Sequence, residues 1–528
     1  MKRRHFLKYS AAGVVLPNLI NGFGIKALGA NPWMSALTNT TTDTDKVLVL
    51  IRLDGGNDGL NTVVPLDQYG KLTQVRPQVV LPENSTLQLE GQDRVGLHPA
   101  MSGMQSLYNE GKLKIIQSVG YPNPNYSHFR ATDIWMSGSD ADQLVNSGWA
   151  GRYLHEEFPN FPAEFPNQDM PDPLSLEIGA TVSLALQGPF AAMGMSVVNP
   201  AEFYELINGV QTPAPATPAG ELLSHVRTVK RQSNAYGQVI VQAFGKAGNI
   251  AEYPGENFLA EQLKIVARLI AGGLKTRIYM VSIGSFDTHD NQVVTDNTTQ
   301  GEHAELLKRV SEGINAFQKD IEALGVADRV TGMTFSEFGR RIISNFSNGT
   351  DHGAAAPLFL FGKAIEGGVL GDNPDIPVDA TVESNLPMQY DFRSVYATVL
   401  KNWFCVPPDT LRDILYRDYQ DLPVFSTVNC LPTSVRDRNL QAGRQLLNIY
   451  PNPFTSWTRL RFESDGGPVI LQVFNNAGQL VANPANGIFP RGEHQVDWHA
   501  EELPAGQYYI RIQLGGLQQV RGCLKVRN

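Results

Sequence analysis

Between Asp45 and Leu431 short apolar runs alternate with amphipathic stretches, and this alternation limits the fold more than any other feature of the chain. "KVLVLIRL", "KIIQSVG", "TRIYMVSIG", "RVTGMTFSEFG" and "APLFLFG" read as strands, while "AMSGMQSLYNEGKL", "NFLAEQLKIVARLIAGGL" and "LLKRVSEGINAFQKDIEALG" read as helices. Strands that are apolar throughout are covered on both faces. The pattern therefore predicts an α/β domain over residues 46–435, a three-layer, mostly parallel sheet with helices on both sides. The first strand, the first helix and "KIIQSVG" read as one right-handed βαβ unit. Residues 156–255, with the proline-rich "TPAPATPAGELL", break the alternation and read as a helical and loop insertion over the site.

Open parallel sheets bind ligands beyond the carboxyl ends of their strands. Polar residues gather there. Asp54 stops the first strand in "RLDGGND", ahead of two glycines and Asn57. Ser127 and His128 follow the second strand in "NYSHFRATDIWMSG", where a helix opens at the serine. Asp287, His289 and Asn291 follow another in "SIGSFDTHDNQ"; Glu337 and Arg340 end the next in "TFSEFGRR"; Asp351 and His352 stand in "GTDHGAAAPLFLFG". Carboxylates and imidazoles on one edge suit one or two divalent ions: zinc, manganese, magnesium or calcium. A serine at a helix N-terminus sits where an anion is favoured. Together these residues predict metal-dependent hydrolysis of a phosphate or sulfate ester, with Ser127 as nucleophile and Asp54, Asp287, His289, Glu337 and His352 as ligands. Asn57, His128, Asn291, Arg340 and Asp351 are further candidates. Plainer roles exist for each: Asp54 capping a turn, Ser127 capping a helix, Asp287 and His289 on a surface loop, Glu337 paired with Arg340 or Arg341.

A net charge of -9 provides no basic field for a nucleic-acid backbone. The three cysteines, Cys405, Cys430 and Cys523, show no metal-binding spacing; a Cys405–Cys430 bridge and free thiols are both open. The first 30 residues, "MKRRHFLKYSAAGVVLPNLINGFGIKALGA", have a basic head, a modestly apolar middle and small residues at the end, a secretory signal rather than a membrane span. Its "RRHFLK" resembles the twin-arginine export motif. Residues 31–45 read as a linker, and no transmembrane segment is expected in the mature chain. Residues 446–528 change texture to short β-rich runs with glycine turns, as in a small sandwich. There "NIYPNPF", "VFNNAGQLV" and "LPAGQYYIRI" resemble the type IX secretion system sorting domain, which implies passage through the periplasm of a Gram-negative bacterium to the outer surface or medium.

In the central domain "LDGGNDGLNTVVP", "SHFRATDIW", "GSFDTHDNQ" and "SEFGRR" followed by "TDHG" resemble an uncharacterised, exported, sulfatase-like family of the alkaline phosphatase superfamily. The resemblance implies that Asp54 and Ser127 share one metal, and that Asp287, His289 or Asn291, and His352 hold another. Where the superfamily has "SDHG" this chain has "SEFG": Glu337 can replace the aspartate, but Phe338 cannot bind a metal. The cysteine pattern that true sulfatases convert to formylglycine is missing from the helix. A small-molecule or glycan ester and the two export systems are the expected partners. The rival readings are a surface-binding protein that kept the fold without the chemistry, and a phosphotransferase acting on surface glycans.

Overall fold

In the computed structural model the described residues are 45–426 apart from 159–160, 163–164, 169, 190 and 201–217, then Cys430, then 447–526 apart from 476–478 and 515–516. The export signal expected over residues 1–30 and nearly all of the linker lie outside them. The described chain falls into two units, one holding the central domain and one the C-terminal strands.

The first strand, β1 (Val47–Leu53), is the pattern's clearest success. Val47, Val49, Ile51 and Leu53 face one hydrophobic core, Leu48 and Leu50 the other. Burying each such aliphatic side chain contributes roughly 1.5–3 kcal/mol, so the strand is held from both sides. Next come β2 (Val63–Pro65), β3 (Leu87–Leu89) and β4 (Gln92–Leu97), a small separate sheet. The large sheet continues with β5 (Leu113–Gly120), β6 (Ser175–Ile178), β7 (Met195–Val197), β8 (Ile278–Ile283) and β9 (Val330–Phe335). A hairpin, β10 (Arg340–Ser344) and β11 (Thr350–His352), precedes β12 (Ala356–Phe361), β13 (Gly368–Leu370) and β14 (Tyr390–Asp391).

The nine-stranded sheet runs β13-β5-β12-β9-β1-β8-β6-β7, with β14 beside β5. β12 alone runs against its neighbours; the other pairings are parallel. Helices cover both faces: Ser102–Asn109, Phe258–Ala271 and Glu302–Ala323 on one side, His128–Ser137, Trp149–Glu157 and Phe392–Thr398 on the other. This is the three-layer α/β fold read from the sequence.

Two details differ from that reading. β1 and β5 are not adjacent, because β9 and β12 lie between them, so they do not form a simple βαβ pair. Part of the segment read as an insertion enters the sheet, where β6 pairs with β8 and β7 with β6. Strands of four and three residues are too short to show a period. No helix among the described residues is long and apolar enough to cross a membrane. Cys405 and Cys430 are disulfide-bonded, and burial pushes the free Cys523 thiol up to about 12.

The named strands of the C-terminal unit all pair antiparallel: β15 (Asn448–Tyr450), β16 (Trp457–Asn475), β17 (Leu480–His499), β18 (Gly506–Leu514) and β19 (Leu517–Lys525). β16 pairs with β15 along its first part and with β18 along its last. Phe454, after β15, makes an isolated parallel bridge to Lys525 at the end of β19, so the sheet curls into a near-barrel around Leu460, Leu471, Trp498 and Ile510.

Candidate active site

The predicted site residues lie in the loops after β1, β8 and β9, at the start of the helix that follows β5, or on the β10–β11 hairpin, and their partners differ. Asp287, in the loop after β8, is the centre. Its Oδ1 accepts from the Arg340 guanidinium at 2.8 Å and lies 3.1 Å from Nε2 of both His289 and His352; its Oδ2 lies 3.3 Å from His128 Nε2. His289 Nε2 and His352 Nε2 are 2.8 Å apart. His128, Asp287 and His352 each bring a ligand-type atom within 4.8 Å of the others.

The outer nitrogens of the three imidazoles are all engaged. His352 Nδ1 is 2.8 Å from the Tyr126 carbonyl, His289 Nδ1 is 2.9 Å from Asp351 Oδ1, and His128 Nδ1 is 2.9 Å from Glu337 Oε1. These partners only accept, so each Nδ1 carries a proton, and each Nε2 faces Asp287 either as the N–H of an imidazolium or as a lone pair with a cation between them. Several acceptors thus meet at one point. Such a cluster is repulsive unless a proton or a cation joins it, and an imidazole whose outer N–H is held by a carboxylate or carbonyl is the usual arrangement of a metal ligand. Ligands about 2.0–2.1 Å from a tetrahedral ion stand roughly 3.3 Å apart; the imidazoles lie 3.1–3.3 Å from the Asp287 oxygens, while His289 and His352 are closer together, at 2.8 Å, and His289 lies outside the mutually close group.

Arg340 supports the cluster from below. It is buried and donates to the carbonyls of Gly55 (2.6 Å), Gly56 (2.8 Å), Phe286 (2.8 Å) and Thr350 (2.8 Å), besides Asp287. One guanidinium therefore ties the loops after β1 and β8 to β11. Burial pushes the Asp287 carboxyl up, but the bonds from Arg340 and His352 outweigh it and hold it at about 2. The same burial lowers His352 and favours its neutral, lone-pair form.

The remaining candidates lie around this centre. Glu337 is buried and accepts from the Gly55 amide at 2.8 Å as well as from His128, so it orients an imidazole. Asp351 does the same for His289, helped by Asn345 Nδ2 at 3.3 Å. Asp54 turns its carboxylate to Arg52, 2.9 Å away. Asn291, at φ 53°, bonds to its neighbour Asp290 at 3.4 Å. Ser127 occupies the N-cap position of His128–Ser137, yet its hydroxyl makes no capping bond and is exposed. Phe338 is buried with its ring 5.0 Å from that of His128 and 4.5 Å from that of His352. A Cβ on Gly56, at φ 87°, would meet that ring at 2.4 Å, so only glycine fits the turn.

Replacing Glu337 by glutamine keeps the shape and removes the charge that holds His128. Metal affinity is expected to fall about 10- to 100-fold, the range for lost outer partners of metal-bound histidine. Chelator competition on wild type and variant checks it, and equal affinities would exclude the orienting role.

A second buried network was not visible in the sequence. Asp58 pairs with Arg76 and accepts from Gln292 Nε2 at 2.6 Å. His303 Nε2 stands 2.9 Å from Asn57 Oδ1, and the His303 and His98 rings are 6.0 Å apart. Burial pushes His303 down to about 4 and His98 to about 3, from an ordinary 6.5. Both are neutral in the folded chain and bind protons first when it unfolds. Their contribution is therefore complete above about pH 6.5 and is lost as pH falls toward 4, by on the order of 1 kcal/mol per pH unit for each histidine. Urea midpoints should drop between pH 7 and 4.5, with a flatter slope in His303→Gln; identical slopes would exclude His303 as a contributor.

A mostly parallel α/β domain with a His/Asp cluster at its strand ends is thus joined in one chain to an antiparallel C-terminal unit. Residues 226–414 match a family model described as "Protein of unknown function (DUF1501)", and residues 448–524 match "Secretion system C-terminal sorting domain". The chain carries a DUF1501 segment and a type IX sorting tail, and is exported to the cell surface or beyond. No curated protein matches it. Among solved structures it is similar to a sulfatase from Pseudoalteromonas sp. at 12% identity over 87% of this chain and 84% of that one, with a TM-score of 0.32. A structure from Bacteroides thetaiotaomicron, described under metabolism of multiple glycosaminoglycans, shares 10% over 84% of this chain and 89% of that one, TM-score 0.32. A 2-O GAG sulfatase shares 8% over 90% and 84%, TM-score 0.28. Likenesses this remote carry no argument about activity, and the fold rests on its own strand order.

Proposed function

We propose that the exported chain is a metal-dependent hydrolase of phosphate or sulfate esters, built on one divalent ion. The supporting observation is the convergence on Asp287 of three imidazoles whose outer nitrogens are all committed to acceptors. The donor set of three nitrogens and a carboxylate fits zinc best, with manganese next.

His128, Asp287, His289 and His352 hold the ion; Glu337, Asp351 and the Tyr126 carbonyl keep the imidazoles aimed; Arg340 keeps Asp287 ionised. When bound, a divalent ion supplies a Lewis acid for ester oxygens and lowers the pKa of a nearby hydroxyl. Ser127, exposed and free of a capping bond, is the nucleophile, one residue from His128. The first-turn amides of its helix, left uncapped by Ser127, face the ester's anionic oxygens. Asp54, paired with Arg52, is a secondary contributor. The test is metal content of the purified chain together with turnover of aryl phosphates and aryl sulfates, with and without chelator. Metal-free protein, or turnover unaffected by chelation, would overturn the proposal.

One observation favours a second reading. Phe338 fills the space against Gly56, His128 and His352 where the superfamily resemblance puts a second histidine. A chain that binds metal and ligand at the surface but turns nothing over would agree with that.

A further inference from the structure

This inference builds on the proposed ester site and concerns what the ester carries. The guanidinium groups around the cluster are committed to the protein: Arg340 and Arg341 to carbonyls and carboxylates, Arg52 to Asp54, and Arg130 to the carbonyls of Asp140, Ala141 and Gln143. Recognition of the charged end therefore falls to the metal site and the helix terminus, and further binding energy must come from the rest of the molecule.

Two bare aromatic side chains belong to the segments that carry the cluster: one follows His128 directly, and the other follows Asn345, which is bonded to the His289 carbonyl. Phe129, one residue after His128, is 87% exposed, and Phe346 is 102% exposed. Phe346 is not on a slack loop. Its neighbour Asn345 donates to the His289 carbonyl at 2.7 Å and accepts from the amides of Ser347 (2.9 Å) and Gly349 (3.2 Å), while the Asn291 amide donates to the Ser347 carbonyl. The backbone on either side of this ring is fixed to the loop that carries His289. A phenylalanine offers no hydrogen bond; it offers a face, and a face selects a flat or ring-shaped partner.

We propose that Phe129 and Phe346 are specificity residues that lie against the ring of the ester's alcohol part, a pyranose or an aryl ring. The chain then prefers ring esters over alkyl esters carrying the same anion.

The full chain is tested with phenyl sulfate, a pyranose 6-sulfate and methyl sulfate, and with the matching phosphates. Wild type should favour ring esters in kcat/KM, and Phe129→Ala and Phe346→Ala should each cut the ring-to-methyl ratio about three- to tenfold, mostly through KM. Calorimetric binding of 4-methylbenzenesulfonate against methanesulfonate needs no turnover and should show the same preference and the same losses. A pyranose ratio that falls without the aryl ratio identifies a sugar as the occupant, and the reverse an aryl group. Ratios that do not move in variants with wild-type melting would overturn the inference. Absence of turnover together with a lost binding preference in the variants would overturn the hydrolase reading and leave this one standing.

Discussion

Asp287→Ala is expected to lower metal affinity by about 100-fold or more and to abolish measurable ester turnover, because the group it removes serves every other member of the site. Its two oxygens meet three imidazoles and Arg340. Without them a buried guanidinium loses its carboxylate and the three imidazoles face one another with no anionic centre. The variant should therefore also be destabilised, since an unpaired buried charge is costly even when its remaining bonds go to carbonyls. Asp54→Ala gives the contrast: its carboxylate pairs with Arg52 at the protein's surface, and its effect on metal content should be much smaller. Elemental analysis of the two variants beside wild type measures both. Equal metal in wild type and Asp287→Ala would rule the cluster out as a metal centre.

The contrast between these two aspartates also shows what the sequence could and could not tell. Both end a strand ahead of a glycine-rich or polar loop, and both were readable as strand-end carboxylates from the apolar run before them. The direction of the side chain was not readable, because it depends on partners far away in sequence: Arg340 claims Asp287, whereas Arg52, two residues back, claims Asp54. The same limit applies to Glu337, which looks like a ligand in "SEFG" but lies behind His128, 209 positions away. His128 is harder to assign from the sequence than Ser127, because a helix start explains a serine locally and says nothing about the next residue. Layering of the fold was legible since period and burial are local properties. Strand order was not, since β9 and β12 enter between β1 and β5 from much later in the chain. The buried Asp58–Arg76 pair with His303 followed no local pattern, and a charged residue beside a glycine reads as surface until its partner is seen.

Ser127→Ala is expected to leave the fold and the metal in place and to reduce turnover of aryl esters by roughly a thousandfold or more, since water must then replace a positioned attacking group. The structure sharpens this test. Had Ser127 been only a helix cap, its hydroxyl would bond to a first-turn amide, and its loss would cost about 0.5–2 kcal/mol of stability. That bond is not made: the Ser127 hydroxyl is exposed, and its backbone amide is held by Asn125 Oδ1 at 2.9 Å, which fixes the residue without using its side chain. The melting temperature should therefore barely change while the rate collapses. A covalent intermediate on the serine also predicts that wild type trapped at low pH during turnover gains the mass of one phosphoryl or sulfuryl group on the peptide containing Ser127, and that the alanine variant does not. Wild-type rates in Ser127→Ala would mean that water attacks directly, with the same cluster holding the ester. A lowered melting point with unchanged rates would return the serine to its place as a cap.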